Sequence, residues 1–225
     1  MDLTVFFIIL GTLSIVVTVI SNDSFRNRLK RELSIIFFLF TRRKFLNEME
    51  ILGIKRIYRT RTETEMENPY FSLDISTKLH SVKAMGISLA GIKNFGDARI
   101  RYHLKNDCKF EFLLLDPDSD FLKQRAYQEN PNIKGETEGF IDWIKGTFSS
   151  SEYKKQIKVL TYDLMPTMAI TVINDNLLFV NPYSLLRRNQ EFPVIGIGKG
   201  GSLFSLYEKE YENVLGHEKT KQIFP

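Results

Sequence analysis

Phe110–Leu115, FEFLLL, is an almost unbroken apolar run, the pattern of a strand covered on both faces. Asp116-Pro117-Asp118-Ser119 stops it, because Pro lacks the ladder N–H while Asp and Ser favour turns and helix caps. From Asp120 the pattern turns helical, with Phe121, Leu122 and Arg125 at helix spacing. A buried strand that ends in acids and enters a helix is where open α/β sheets place ligands, beyond the strands' carboxyl ends. The same letters also describe a well-capped strand-to-helix turn with no ligand, and both readings stand at this point.

A chain of 225 residues suits one ordinary domain with an appendage. With 43% hydrophobic and 12% aromatic residues the composition is globular, which excludes widespread disorder. Cys108 is the single cysteine, so neither an internal disulfide nor a cysteine-based zinc site is available. Its apolar setting makes it a small core residue. The net charge of +4 matters less than where the charges lie.

Leu3–Ile20 carries no charge, and at about 1.5 Å per residue a helix of this length just crosses a hydrocarbon core of about 30 Å. There is no basic stretch before it and no small-x-small cleavage pattern after it, so an uncleaved anchor is expected rather than a signal peptide. Arg26, Arg28, Lys30, Arg31, Arg42, Arg43 and Lys44 follow, opposed only by Glu32. Positive charge collects on the cytoplasmic side, which places the amino terminus outside and the body of the chain in the cytosol. Those seven residues are also candidates to meet anionic lipid headgroups. Leu33–Phe40 is a second apolar run, too short to span. It suits a helix in the headgroup layer, or equally one packed against a partner subunit or the domain itself.

Four segments follow: 1–22 an anchor, 23–47 a basic and apolar juxtamembrane helix, 48–219 an α/β domain, and 220–225 a tail. Within the domain, Ile51–Arg59 reads as a strand after a helix end at Gly53, Arg59–Glu67 as an exposed loop, and Tyr70–His80 as a helix. Ser81–Leu89 and Lys109–Leu115 are buried strands, with a helix over Asn94–Asn106 between them. Helices are expected over Phe121–Gln128 and Glu136–Phe148, and a strand over Ile157–Tyr162. Met168–Ile173 and Leu177–Val180 flank Asn174-Asp175-Asn176, the composition of a tight hairpin. Phe192–Ile197 reads as a last strand, and Leu203–Leu215 as a closing amphipathic helix. Strands alternating with helices indicate an α/β layer structure.

The common catalytic motifs are missing. Gly196–Ser202 lacks the P-loop spacing, and although Gly196, Gly198 and Gly201 spell GxGxxG they stand near the end of the chain rather than opening a nucleotide-binding unit, so a turn before a helix explains them. His80, His103 and His217 are scattered, with no HExxH, and no serine stands in a GxSxG elbow. No metal or cofactor is expected.

Three segments, SVKAMGISL, KFEFLLLDPDSDFLKQRA and IKVLTYDLMPTMAITVINDNLLFVNPY, resemble the strand sequence of the phospholipase D superfamily. They look most like its degenerate bacterial branch, which carries the strand-DPDS-Arg pattern and the Asn-Pro-Tyr end. The resemblance spans roughly Glu50 to His217, and its specificity lies in the first strand and the DPDS segment. It implies a phospholipase D-like layered sheet with flanking helices. Active members use an HxKxxxxD motif on the strand pair that here is Met168–Val180, with His as nucleophile and Lys gripping phosphate. Carried over by position, the His falls at Met168, the Lys at Ile170 and the Asp at Asp175, so only Asp175 matches. The following Gly-Ser-x-Asn region would fall near Asn181-Pro182-Tyr183, where only polar character survives. The resemblance therefore argues for the fold and against its usual chemistry.

Two functions follow. One is a non-catalytic module on a membrane anchor, binding a small anionic ligand or protein partner at the old cleft through Ser88, Asp116, Asp118, Arg125, Asp175 and Asn181. A second copy of the chain is a further candidate partner. The other is a phosphodiesterase or hydrolase with a displaced site built from Asp116, Asp118 or His80. The first is preferred, because Met168 neither attacks phosphorus nor transfers a proton, and Ile170 neutralises no charge.

Overall fold

The computed structural model describes residues 42–128, 130–149, 152–183 and 191–225. The expected anchor Leu3–Ile20 and the run Leu33–Phe40 lie outside them. Among the described residues, no helix is long and apolar enough to cross a membrane. Chain contacts divide the protein at Glu48, and Met49–Pro225 is the unit that carries the sheet. In the unit before it, residues 42–48 are helical and exposed.

The strand read first is the structural centre. β3 (Lys109–Leu115) lies parallel to β2 (Ser81–Gly86) on one side and to β4 (Ile157–Tyr162) on the other. Phe110, Phe112 and Leu114 enter one core; Leu113 and Leu115 enter a second core on the opposite face. A strand buried on both faces carries apolar residues on both, which is why its pattern is nearly continuous rather than alternating; Glu111 interrupts it, its carboxylate taken up by Lys158 and the Tyr211 hydroxyl. Antiparallel strands extend the sheet. β5 (Met168–Ile173) pairs with β2, and β6 (Leu177–Pro182), β7 (Val194–Gly198) and β1 (Ile54–Tyr58) follow outward. β8 (Thr220–Phe224) adds to β4 at the other edge. The eight strands run in the order β1-β7-β6-β5-β2-β3-β4-β8.

Helices cover both faces, and the short α2 (Ala90–Asn94) gives Ile92 to the first core. α3 (Asp97–Lys105) and α5 (Ile133–Phe148) give Ile100, Leu104, Phe140, Ile144 and Phe148 to the first core. Phe112 and Phe140 meet edge to face at 5.3 Å, worth about 1 kcal/mol beyond their burial. α4 (Asp120–Gln128) and α6 (Ser202–Leu215) give Leu122, Phe204 and Tyr211 to the second. Cys108 is fully buried, and burial pushes its thiol up to about 12. The Asn174-Asp175 turn holds both residues at positive φ, 54° and 52°, the conformation that tight hairpins require. Gly53 closes a helix at φ +79°, and a Cβ there would lie 2.7 Å from the Gly201 Cα. The Gly-rich turn is thus spent on a close approach of two backbones.

Three expectations are corrected. Arg59–Glu67, expected as a loop, contains α1 (Arg61–Glu67). The Thr60 hydroxyl accepts the Glu63 N–H at 3.1 Å and the Glu63 carboxylate accepts the Arg59 N–H at 2.6 Å, so local caps offset the helix's polar composition. Tyr70–His80, expected as a helix, is a series of turns. Asn68 accepts the Tyr70 and Phe71 N–H groups and Asp74 accepts that of Ser76, capturing donors a helix would use. Residues 220–225, expected as a tail, contain β8.

Candidate functional site

Beyond the carboxyl end of β2 the chain forms a polar cleft of 430 Å³. Gly86 at the end of β2, with Ile87 and Ser88 after it, runs along its floor, α1 supplies Arg61 and Glu65, the approach to α5 supplies Asn130, and the first turn of α5 supplies Glu136. Ala169 of β5 and Tyr183, just past β6, complete one wall.

Two carboxylates here have different partners. Glu65 accepts the Arg61 Nε–H at 3.0 Å, an ion pair one helical turn apart. The Arg61 guanidinium carbon lies 5.7 Å from the Phe71 ring centroid. A Cβ on Gly91 would stand 2.4 Å from Arg61 Nη2, so glycine there is what leaves room for the guanidinium. Glu136 instead meets neutral donors. Its Oε1 accepts the Asn130 Nδ2–H at 2.7 Å and its Oε2 accepts the Ser88 hydroxyl at 3.3 Å.

Of the six residues expected to share one cleft, Ser88 lines it. Asn181 is buried just behind, its Nδ2 donating to the Phe192 and Pro193 carbonyls at 3.3 and 3.1 Å. Arg125 is buried along a neighbouring pocket of 190 Å³ with Thr167 and Tyr183. Its guanidinium carbon lies 5.0 Å from the Tyr183 ring centroid. Tyr183 borders both cavities, and its hydroxyl oxygen accepts the Ile87 N–H at 3.0 Å.

The other three lie elsewhere. Asp116 and Asp118 edge a separate open groove with Asp142, Lys145 and Thr161. Asp116 accepts the Asp118 N–H at 2.9 Å, and Asp118 pairs with Lys134 at 2.9 Å, which holds its carboxyl below the ordinary value. The cap of α4 is Ser119, whose hydroxyl accepts the Phe121 N–H at 3.1 Å and donates to Asp163 at 2.6 Å. Asp175 is at the far end of the sheet, because β5 runs antiparallel to β2 and its turn returns beside Ser81. His80 is at that end too, immediately before β2. The seven residues of β3, at about 3.3 Å each, separate it by about 20 Å from Asp116. Asp116, Asp118 and His80 therefore do not converge.

Arg61, Glu65, Asn130, Glu136 and Tyr183 were not singled out from the sequence as one group. A Thr-x-x-Glu signature at Thr60–Glu63 is the signal that would have placed α1 and with it Arg61. Among the described residues, no group of three or more His, Cys, Asp or Glu side chains could hold a metal ion.

No protein-family model matches the chain, and no curated protein does. Solved structures do. TrmBL2, an archaeal chromatin protein described as showing a novel mode of DNA binding, is 13% identical with a TM-score of 0.44, over 89% of this chain and 67% of that one. Nuc from Salmonella typhimurium, a phospholipase D family member, is 7% identical with a TM-score of 0.42, over 68% of this chain and 89% of its own. NucT from Helicobacter pylori is 11% identical with a TM-score of 0.42, over 75% and 98%. At these scores and identities, no residue role passes from them to this chain.

Proposed function

We propose that the protein is a membrane-anchored, phospholipase D-like module that cleaves no phosphodiester and instead holds a small polar ligand in the cleft beyond β2. One observation carries the reading. The position that the family resemblance gives to the phosphate-gripping lysine is Ile170, fully buried in the second core, and the position of the nucleophilic histidine is Met168, packed against the same core. General acid–base and nucleophilic catalysis need groups that these side chains lack. The cleft beyond β2 is lined by polar groups and lies within the volume range of about 300–1,000 Å³ usual for small-molecule sites. The reading with a displaced hydrolase site has less support, since His80 lies about 20 Å from the acids it would need.

The anchor and orientation belong to the same proposal and rest on Leu3–Ile20 and the basic residues after it. The test has two arms. The full chain in lipid nanodiscs should show no turnover of bis(p-nitrophenyl) phosphate, with or without divalent metal ions; hydrolysis abolished by Asp175→Ala would overturn the non-catalytic reading. A reporter fused after Pro225 should be active only if cytosolic, and activity of an export-dependent reporter there would reverse the topology.

A further inference from the structure

Charge balance in the cleft goes further and names a class of ligand; the inference rests on the cleft being the working site. Among the described residues, three acidic or basic side chains line it, Arg61, Glu65 and Glu136. Arg61 and Glu65 pair at 3.0 Å and cancel. Among the described residues Glu136 has no cationic partner. It meets only the Ser88 hydroxyl and the Asn130 amide, one on each carboxylate oxygen. A carboxylate oxygen has two acceptor sites, so each retains capacity for another donor. Fixed by two neutral hydrogen bonds in the first turn of α5, Glu136 is an oriented carboxylate with no cationic side chain beside it among the described residues.

A phosphate or other dianion would enter against that charge, and among the described residues the guanidinium that lines the cleft, Arg61, is already engaged by Glu65. Like charges brought together in a partly desolvated site repel more strongly than in bulk water. An ammonium group has the opposite sign and up to three donors for the open acceptor sites on Glu136. From this we infer that the cleft binds a small organic ammonium compound, with Glu136 as its anchor and Ser88 and Asn130 as the positioning residues. This departs from the anionic ligand that the sequence suggested.

The same chemistry is carried by free amines and by the headgroup of an aminophospholipid, and the experiment separates them. The full chain is placed in phosphatidylcholine nanodiscs, and thermal midpoints are followed against ethanolamine, putrescine and inorganic phosphate. A second set of nanodiscs contains phosphatidylethanolamine and no added amine. A saturable rise is expected with an amine or with the ethanolamine lipid, the first pointing to a soluble ligand and the second to a headgroup, and none with phosphate. Glu136→Gln can keep the bond from Asn130 on its amide oxygen and donate to the Ser88 hydroxyl oxygen instead of accepting from it, while removing the charge, so it should weaken the response at least about tenfold. If that variant fails to fold, Ser88→Lys, which brings a competing ammonium into the cavity, should abolish the response instead. An amine response that survives these substitutions overturns the inference. A phosphate response lost in Arg61→Ala would also overturn it while leaving the cleft as the ligand site. Silence toward every probe would overturn both the ammonium assignment and the ligand-binding reading.

Discussion

Lys83 Nζ lies 2.9 Å from a carboxylate oxygen of Asp175, tying the β5–β6 hairpin to β2 at the end of the sheet opposite the cleft. Asp175 is the one residue that matches the HxKxxxxD pattern, and here its contacts are structural. Its other oxygen accepts the Ser81 hydroxyl at 3.3 Å.

The hydrogen bond from Lys83 is the largest influence on Asp175 and holds its carboxyl below the ordinary value of 3.8, partly opposed by burial. A carboxyl depressed in the folded state stabilises it above the unfolded-state value of about 3.9, and that contribution is lost as pH falls through the lower folded value. The Asp175 side chain is 50% exposed, so solvent screening limits the pair to about 1 kcal/mol at most. Asp175→Asn should lower the urea midpoint slightly at neutral pH. The difference should vanish in acid, and no ligand response should change.

Restoring the catalytic letters should fail for a reason of packing. Ile170 is fully buried, and Ile170→Lys would place an unpaired ammonium in the second core. The cost should be at least about 4 kcal/mol. Met168→His with Ile170→Lys is therefore expected to melt far below the parent protein, as read by circular dichroism, and to hydrolyse no phosphodiester.

At the start of α4 the residue to test is Ser119 rather than Asp118. Ser119 is buried, caps the Phe121 N–H and donates to Asp163. Ser119→Ala should cost about 2 kcal/mol, combining a lost cap with a charged hydrogen bond left unpaired. Asp118 is fully exposed, and Asp118→Ala should leave the unfolding midpoint unchanged. The reverse order in chemical denaturation would show that the cap has been misplaced.

Arg125 supports the wall between two cavities. It is 6% exposed, with its guanidinium over Tyr183, whose hydroxyl oxygen in turn holds the Ile87 amide at the cleft floor. Arg125→Ala should cost about 2 kcal/mol through lost stacking and lost packing of its stem. In a double-mutant cycle with Tyr183→Leu the coupling should exceed about 0.5 kcal/mol. A stable Arg125→Ala variant with additive effects would show that the stack contributes nothing.

The sequence by itself determined the elements whose cause is local. β3 and β4 are legible to the residue, because a strand buried on both faces shows a nearly continuous apolar run, here broken by Glu111 and Lys158, which pair with each other across the two strands. The β5–β6 hairpin is legible because Asn174 and Asp175 tolerate the positive φ that its turn demands. Tertiary structure decided which end of the sheet each residue occupies. The antiparallel run of β5 carries Asp175 to the end opposite Ser88, and nothing in the spacing of those residues records strand direction. It also made β8, a short segment that becomes a strand by pairing with the open edge of β4. The cleft is of the same kind. Arg61, Ser88, Glu136 and Tyr183 come from four separate segments, and their meeting depends on strand order, which is fixed by long-range pairing and core packing rather than by local pattern.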